Sequence, residues 1–248
     1  MTRRPPAKSV KCLLPVWGHR HTRQFLEFGL PTLLAPGNVP ALAGALPCEF
    51  VVATAAEDAA AILAHPNWRR LSGVCPARLV PIDDLISDAS HATGLTLAYA
   101  RIIRAVGAGM TDCCFLFLVA DFLLADGSLK AVLTRLMAGA SGVLAGNFQV
   151  AADQMTPHLT GSGVFSPREL VRLSLAHLHP DTANAIVNGD FRQTAAINRL
   201  FWRVDQQTLL GRFHLAHMIG IRPEVTDFAV GASADYSFIP ELCPSGAV

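Results

Sequence analysis

The apolar positions fall into two patterns. Short, nearly continuous apolar runs predict strands covered on both faces at residues 11–17 (KCLLPVW), 48–55 (CEFVVATA), 77–85 (ARLVPIDDL, closing on paired acids) and 113–120 (CCFLFLVA, ending at Asp121). Residues 141–150 and 213–223 read as two further strands. Helical spacing covers residues 20–34, where Phe25, Phe28, Leu30, Leu33 and Leu34 share a face and Gly29 and Pro31 are expected to break it. More helices are predicted from Glu57 to a stop at His65 and over 91–107, 128–137 and 194–202. Another covers 166–177, with Ser166 as its N-cap and Pro167 at its first position. The two prolines of residues 234–246 (ADYSFIPELCPSG) predict an extended segment anchored by Tyr236, Phe238 and Ile239, able to act as a lid over a ligand.

Strands alternating with helices over the first 150 residues give an α/β fold with a Rossmann-like, mixed but mostly parallel sheet. The expected organisation is one domain: a basic tail at 1–10, a binding half at 11–150 and an elaboration at 151–248. No internal repeat or low-complexity tract interrupts it.

Composition narrows the function. The 248 residues are 51% hydrophobic and 16% charged, enough apolar material for a large core. A net charge of +1 gives no field that would favour nucleic acid or an anionic membrane surface. No signal-peptide pattern follows the basic start, and the longest apolar run falls short of the roughly 20 residues that span a bilayer. A cytoplasmic protein without membrane insertion is therefore expected. Cys12, Cys48, Cys75, Cys113, Cys114 and Cys243 show no metal-binding spacing and read as reduced core thiols. High hydrophobicity is compatible with a homodimer and equally with a doubly covered sheet.

In open α/β sheets, ligands bind beyond the carboxyl ends of the strands, which selects Trp17 to His19, Thr54, Asp83 with Asp84, and Asp121. Asp121 stands out because an acid at the mouth of a buried strand is costly unless something uses or neutralises it. His214 and His217, three residues apart on a predicted strand, point to opposite faces, so at most one joins Asp121 on a metal. An oxygen and a nitrogen ligand completed by a diphosphate would suit Mn²⁺ or Mg²⁺. Asp126 reads as part of an Asp-Gly turn, with Asp126 or Ser128 capping the next helix. The GSG at 161–163 is neither a P-loop nor a dinucleotide fingerprint, and no GxSxG is present, which weakens dinucleotide and hydrolase readings.

The order of these features, LLPVWGHRHTRQFLEFGLPTLL, then FVVATAAEDA, then FLFLVADFLLADGSL, resembles the nucleotide-sugar-binding half of a GT-A glycosyltransferase. It is also similar to a bacterial group of glycosyltransferase-like proteins with a DGSL element after the strand acid and a late strand like FHLAH. The resemblance implies transfer of a sugar from a nucleotide-sugar donor to an acceptor it does not identify. It implies that Pro15, Val16, Trp17, Gly18 and Thr54 touch base and ribose and that Asp83 or Asp84 lies near the base or ribose. Arg101 and Arg104 would reach phosphate or sugar, and a solvated helix face is the competing account. Family members carry an Asp-x-Asp triplet that binds the metal. Here the triplet is Val119, Ala120 and Asp121, so only the second acid is present, with His214 or His217 as the further ligand. An inverting enzyme also needs a carboxylate base, for which Asp190 and Asp153 are the candidates. Two alternatives remain: a nucleotidyltransferase, disfavoured by the single glycine in PVWGHRHTR, and a catalytically degenerate scaffold that binds a nucleotide or a protein, favoured by the missing acid.

Overall fold

A computed structural model describes residues 4–86, 90–159, 163–187, 199–205, 208–213, 216–231 and 233–246. Among them, a six-stranded sheet is built from β1 (Ser9–Pro15), β2 (Cys48–Thr54), β3 (Ala77–Pro81), β4 (Cys113–Phe117), β5 (Gly142–Ala145) and a late strand, His217–Ile221. A separate three-stranded sheet comprises β6 (Ile186–Val187), β7 (Arg199–Arg203) and β8 (Leu209–Phe213), which makes the late strand β9. The large sheet runs in the order β3-β2-β1-β4-β9-β5. Strands β3, β2, β1 and β4 are mutually parallel, and β9 lies antiparallel between β4 and β5. This mostly parallel sheet flanked by helices is an α/β architecture compatible with a Rossmann-like fold.

The apolar runs lack alternation because both sheet faces are covered. Cys12, Leu14, Phe50, Val52, Cys114 and Leu116 pack on one side with Phe25, Leu30, Leu42, Leu71, Leu129 and Leu136 from helices. Leu13, Val51, Phe115 and Phe117 face the other side, against Tyr99, Ile102 and Ile103 of helix His91–Arg104 and against Phe238 and Leu242. The edge strand β3 is only partly buried. The six cysteines are free and buried, and burial pushes the Cys113 thiol up to about 11, in keeping with core thiols.

Several boundaries differ from the sequence expectation. The helix predicted to break at Gly29 and Pro31 continues from His19 to Leu33, with a wider π-helical turn at Phe25–Gly29. Proline has no N–H and its ring crowds the carbonyl four residues back, and a π turn relieves both. The helix Ala56–Ala64 stops at His65 as expected, but Pro66 then opens a second one, Pro66–Ser72. Strand β4 ends at Phe117, four residues before Asp121, and β3 ends before its paired acids. Residues 199–203 form β7 rather than the end of a helix, the rest of that predicted helix lying outside the described residues. The C-terminal segment is a helix, Ala234–Leu242, not an extended strap. Its Pro240 lies inside that helix near the C-terminal end, where it forgoes one backbone hydrogen bond. Phe238 is fully buried and Ile239 partly so, while the Tyr236 side chain lies outside the described residues.

The capping of helix Ser128–Met137 also departs from expectation. Gly127 occupies its N-cap, and Asp126 instead accepts the Gly37 N–H at 2.6 Å. The Leu129 N–H is taken by Asn38 Oδ1 at 3.0 Å, while Asn38 Nδ2 donates to the carbonyls of Thr32 (2.8 Å) and Ala125 (3.1 Å). Asn38 is fully buried, so its truncation would strand three backbone groups without water. Asn38→Ala is expected to cost about 3 kcal/mol, seen as a Tm lower by roughly 6–12 °C in thermal unfolding.

Candidate functional site

The candidate site grows from the way β4 ends. The Leu118 N–H makes a last rung to Leu13 O at 2.9 Å, after which Tyr99 Oη donates to Leu118 O at 2.6 Å and ends strand pairing. Phe122 N–H donates to Val119 O at 3.2 Å, so the chain turns and presents Asp121 to solvent. Gly29 lies directly beneath: a Cβ there would sit 3.2 Å from Ala120 O and 3.3 Å from Phe122 O. Asp121 is thus an exposed carboxylate on a pinned loop, not an acid buried at a strand mouth.

Three cavities meet at this residue. The smallest, about 300 Å³, is lined by Pro15, Val16, Trp17, His21, His91, Val119, Ala120 and Asp121. A wide cleft of about 940 Å³ extends from Asp121 past Arg20, Gln24 and Asn147 to Asp153, His179 and Asp181. The third, about 440 Å³, runs from Asp121 between Phe122, Phe148, Val171 and His217.

The first cavity is aromatic. Trp17 and His91 lie with ring centroids 4.4 Å apart, and His21 is 5.9 Å from His91. The turn carrying Trp17 is held by Gly18, whose φ of 80° suits glycine alone and whose N–H donates to Asp58 Oδ2 at 2.7 Å. Asp58 is buried in the first turn of helix Ala56–Ala64, where the helix dipole favours its charge. His91 opens helix His91–Arg104, after the Ser90 cap. Burial pushes its imidazole below the ordinary value of 6.5, the nearby His21 lowers it further, and Asp121 opposes both.

Of the residues chosen from sequence, Pro15, Val16, Trp17, Ala120, Asp121, Asp153 and His217 line these cavities, and Gly18 shapes the turn beside them. His217, at the start of β9, reaches Phe117 O at 3.5 Å and packs edge-on to Phe122 at 4.6 Å. His214 and Asp190 lie outside the described residues. The remaining candidates do not line the three cavities, and all but Thr54, whose buried hydroxyl has no hydrogen-bond partner among the described residues, have side-chain partners within the fold. Thr54 is buried at the end of β2. Asp83 accepts the Ala56 N–H at 3.0 Å, supporting a helix start. Asp84 and Arg101 form a two-point ion pair that holds the Asp84 carboxyl below its usual range, and Arg104 sits 4.7 Å above the Phe228 ring. His21, His91, Asp58 and Asp181 were not singled out by sequence. For His91 the signal was there, since a residue opening a helix after a parallel strand faces the carboxyl edge.

Among the described residues, no group of three or more His, Cys, Asp or Glu could hold a metal ion. No described helix is long and apolar enough to cross a membrane. Compared with known proteins, the chain matches no family model and no curated sequence.

His91 should titrate below 6.5 by NMR, lower still in Asp121→Asn and higher in His21→Ala. Because its folded pKa is depressed, the stability tied to neutral His91 is complete above its unfolded value and is lost as pH falls through the folded one. His91→Phe should therefore lose less stability than wild type between about pH 7 and 5.

Proposed function

We propose that the protein is a glycosyltransferase that takes a nucleotide-sugar donor across the carboxyl edge of the parallel strands. The observation that carries this is the position of Asp121, a solvent-facing carboxylate on a pinned loop where an aromatic pocket, a polar cleft and an apolar cavity converge.

The base of the donor would stack in the pocket of Trp17 and His91, whose flat faces accept any base by its π surface. The diphosphate would then lie along the loop of Ala120 and Asp121, with the sugar entering the cleft. A carboxylate facing a diphosphate repels it, so Asp121 makes chemical sense only with a cation between them. Mg²⁺ binds through one or two carboxylates, substrate phosphates and retained water, and one Asp121 oxygen, with His217 lining the same cavity, fits that demand. When bound, the divalent ion supplies the positive charge that a diphosphate leaving group requires. Asp153, across the cleft, would accept the proton of the acceptor hydroxyl, and Tyr99 and Gly29 would keep Asp121 in register.

One observation favours a second reading. Val119, where the GT-A triplet has its first acid, lines the aromatic pocket and leaves it with one fewer anionic ligand. A scaffold that binds a nucleotide without turnover would look the same.

Thermal unfolding against nucleoside diphosphates and nucleotide sugars, with Mn²⁺, Mg²⁺ or chelator, separates these. Ligand at about 100 times its Kd should add about 2.7 kcal/mol, a rise of roughly 5–10 °C, lost with chelator and in Asp121→Ala. Asp153→Asn should keep that shift while lowering turnover by roughly 10²–10⁴-fold. A shift that ignores metal and survives Asp121→Ala would favour the scaffold, and no shift at all would end both.

A further inference from the structure

Helix Pro167–Ala176 has the sequence of an amphipathic surface helix, with Ser166 accepting the Glu169 N–H at its start, yet none of its residues is buried. Such a helix normally hides its apolar stripe. Here Leu170 and Val171 instead face the 440 Å³ cavity, and Val171 remains 45% exposed. Val132 and Ile219 line the same cavity from helix Ser128–Met137 and from β9. A dry apolar void of about 150 Å³ already takes up benzene, and this one falls within the range of substrate pockets.

We infer that this cavity binds the hydrocarbon part of an amphiphile whose polar end lies at Asp121. The wall formed by Leu170, Val171, Val132 and Ile219 favours a hydrocarbon over a sugar: these side chains carry no polar group, and a saccharide hydroxyl set against them would lose water without gaining a partner, whereas the polar lining residues Asp121 and Asn147 lie where the cavity joins the cleft. The polar end is placed by continuity, since Asp121, Asn147 and Phe148 line both the cavity and the cleft. The amphiphile's hydroxyl would then emerge where the donor sugar is expected. Its role as the acceptor rests on the proposed transferase, whereas the binding site itself does not.

Titration calorimetry of the full chain with hexanol, octanol and decanol tests this. Affinity should tighten about threefold to fourfold per added methylene, with a negative heat-capacity change. Ser174→Trp, which fills the cavity from the helix side, and Val171→Asp, which charges its wall, should each weaken decanol binding by roughly tenfold or more. Both should keep the cooperative thermal unfolding of the ligand-free wild type, which shows that they are folded, together with whatever nucleotide-dependent shift the wild type has. Absence of chain-length dependence, or decanol binding untouched by either folded variant, overturns the inference. Chain-length-dependent binding in a protein that shows no nucleotide response supports the apolar site and removes the transferase.

Discussion

Strand β4 has no side turned to solvent: all five residues from Cys113 to Phe117 are completely buried. A strand in that position needs apolar cover on both faces and hydrogen-bond partners on both edges, and meeting those four demands organises the chain. β1 supplies one edge in parallel register. The other is closed by β9, which begins about a hundred residues later and arrives antiparallel, pairing Phe115 with Ile221. Helix Ser128–Met137 covers one face, and helix His91–Arg104 with the C-terminal Phe238 and Leu242 covers the other. Because β9 runs backwards, its first residue, His217, lands at the carboxyl edge of β4, among the loops that form the crevice.

The same constraint explains why the Asp121 loop is well defined while its carboxylate is exposed. Leu118 is locked by a rung to β1 and by the Tyr99 hydroxyl, and Ala125 and Leu129 are tied to the buried Asn38. Between those anchors the loop passes close over Gly29, where a Cβ would press on the carbonyls of Ala120 and Phe122 at 3.2 and 3.3 Å. A ligand group on such a loop is held by a scaffold that has already met the ordering cost, which is what preorganised binding requires. The three cavities around Asp121 differ in chemistry: aromatic beside Trp17 and His91, polar toward Asp153 and His179, apolar under Val171.

Much of the frame was legible along the chain. Helix Ser128–Met137 falls where its periodicity put it, and the strands at residues 48 and 77 begin where their apolar runs begin. The misreadings have separate causes, the first being that burial is not pairing. Leu118 and Ala120 extend the apolar run because both are buried, although β4 ends at Phe117 and Leu118 keeps only a last rung to β1. Pro240 suggested an extended tail, but a proline near the C-terminal end of a helix forgoes one backbone hydrogen bond while Phe238 and Leu242 fill the core. In the site, Trp17 and Asp121 could be picked out because they are conspicuous residues near strand ends, and Asp153 as an acid between predicted elements, where the structure has the short helix Ala152–Met155. Asp84 and Arg101 look like ligand groups for the same reason, yet they pair with each other across 17 positions of sequence.

The class of structure was legible in the chain alone: short apolar runs alternating with segments of helical spacing favour a mostly parallel sheet covered on both faces, because helical crossovers place the connections on both sides of the strands. Which strand closes β4, which polar groups are consumed within the fold, and that Trp17, His91, Asp121, Asp153 and His217 share one crevice were decided only by tertiary structure. Those outcomes depend on pairings between residues tens to more than a hundred positions apart, whose stability comes from mutual burial that no local window of sequence contains.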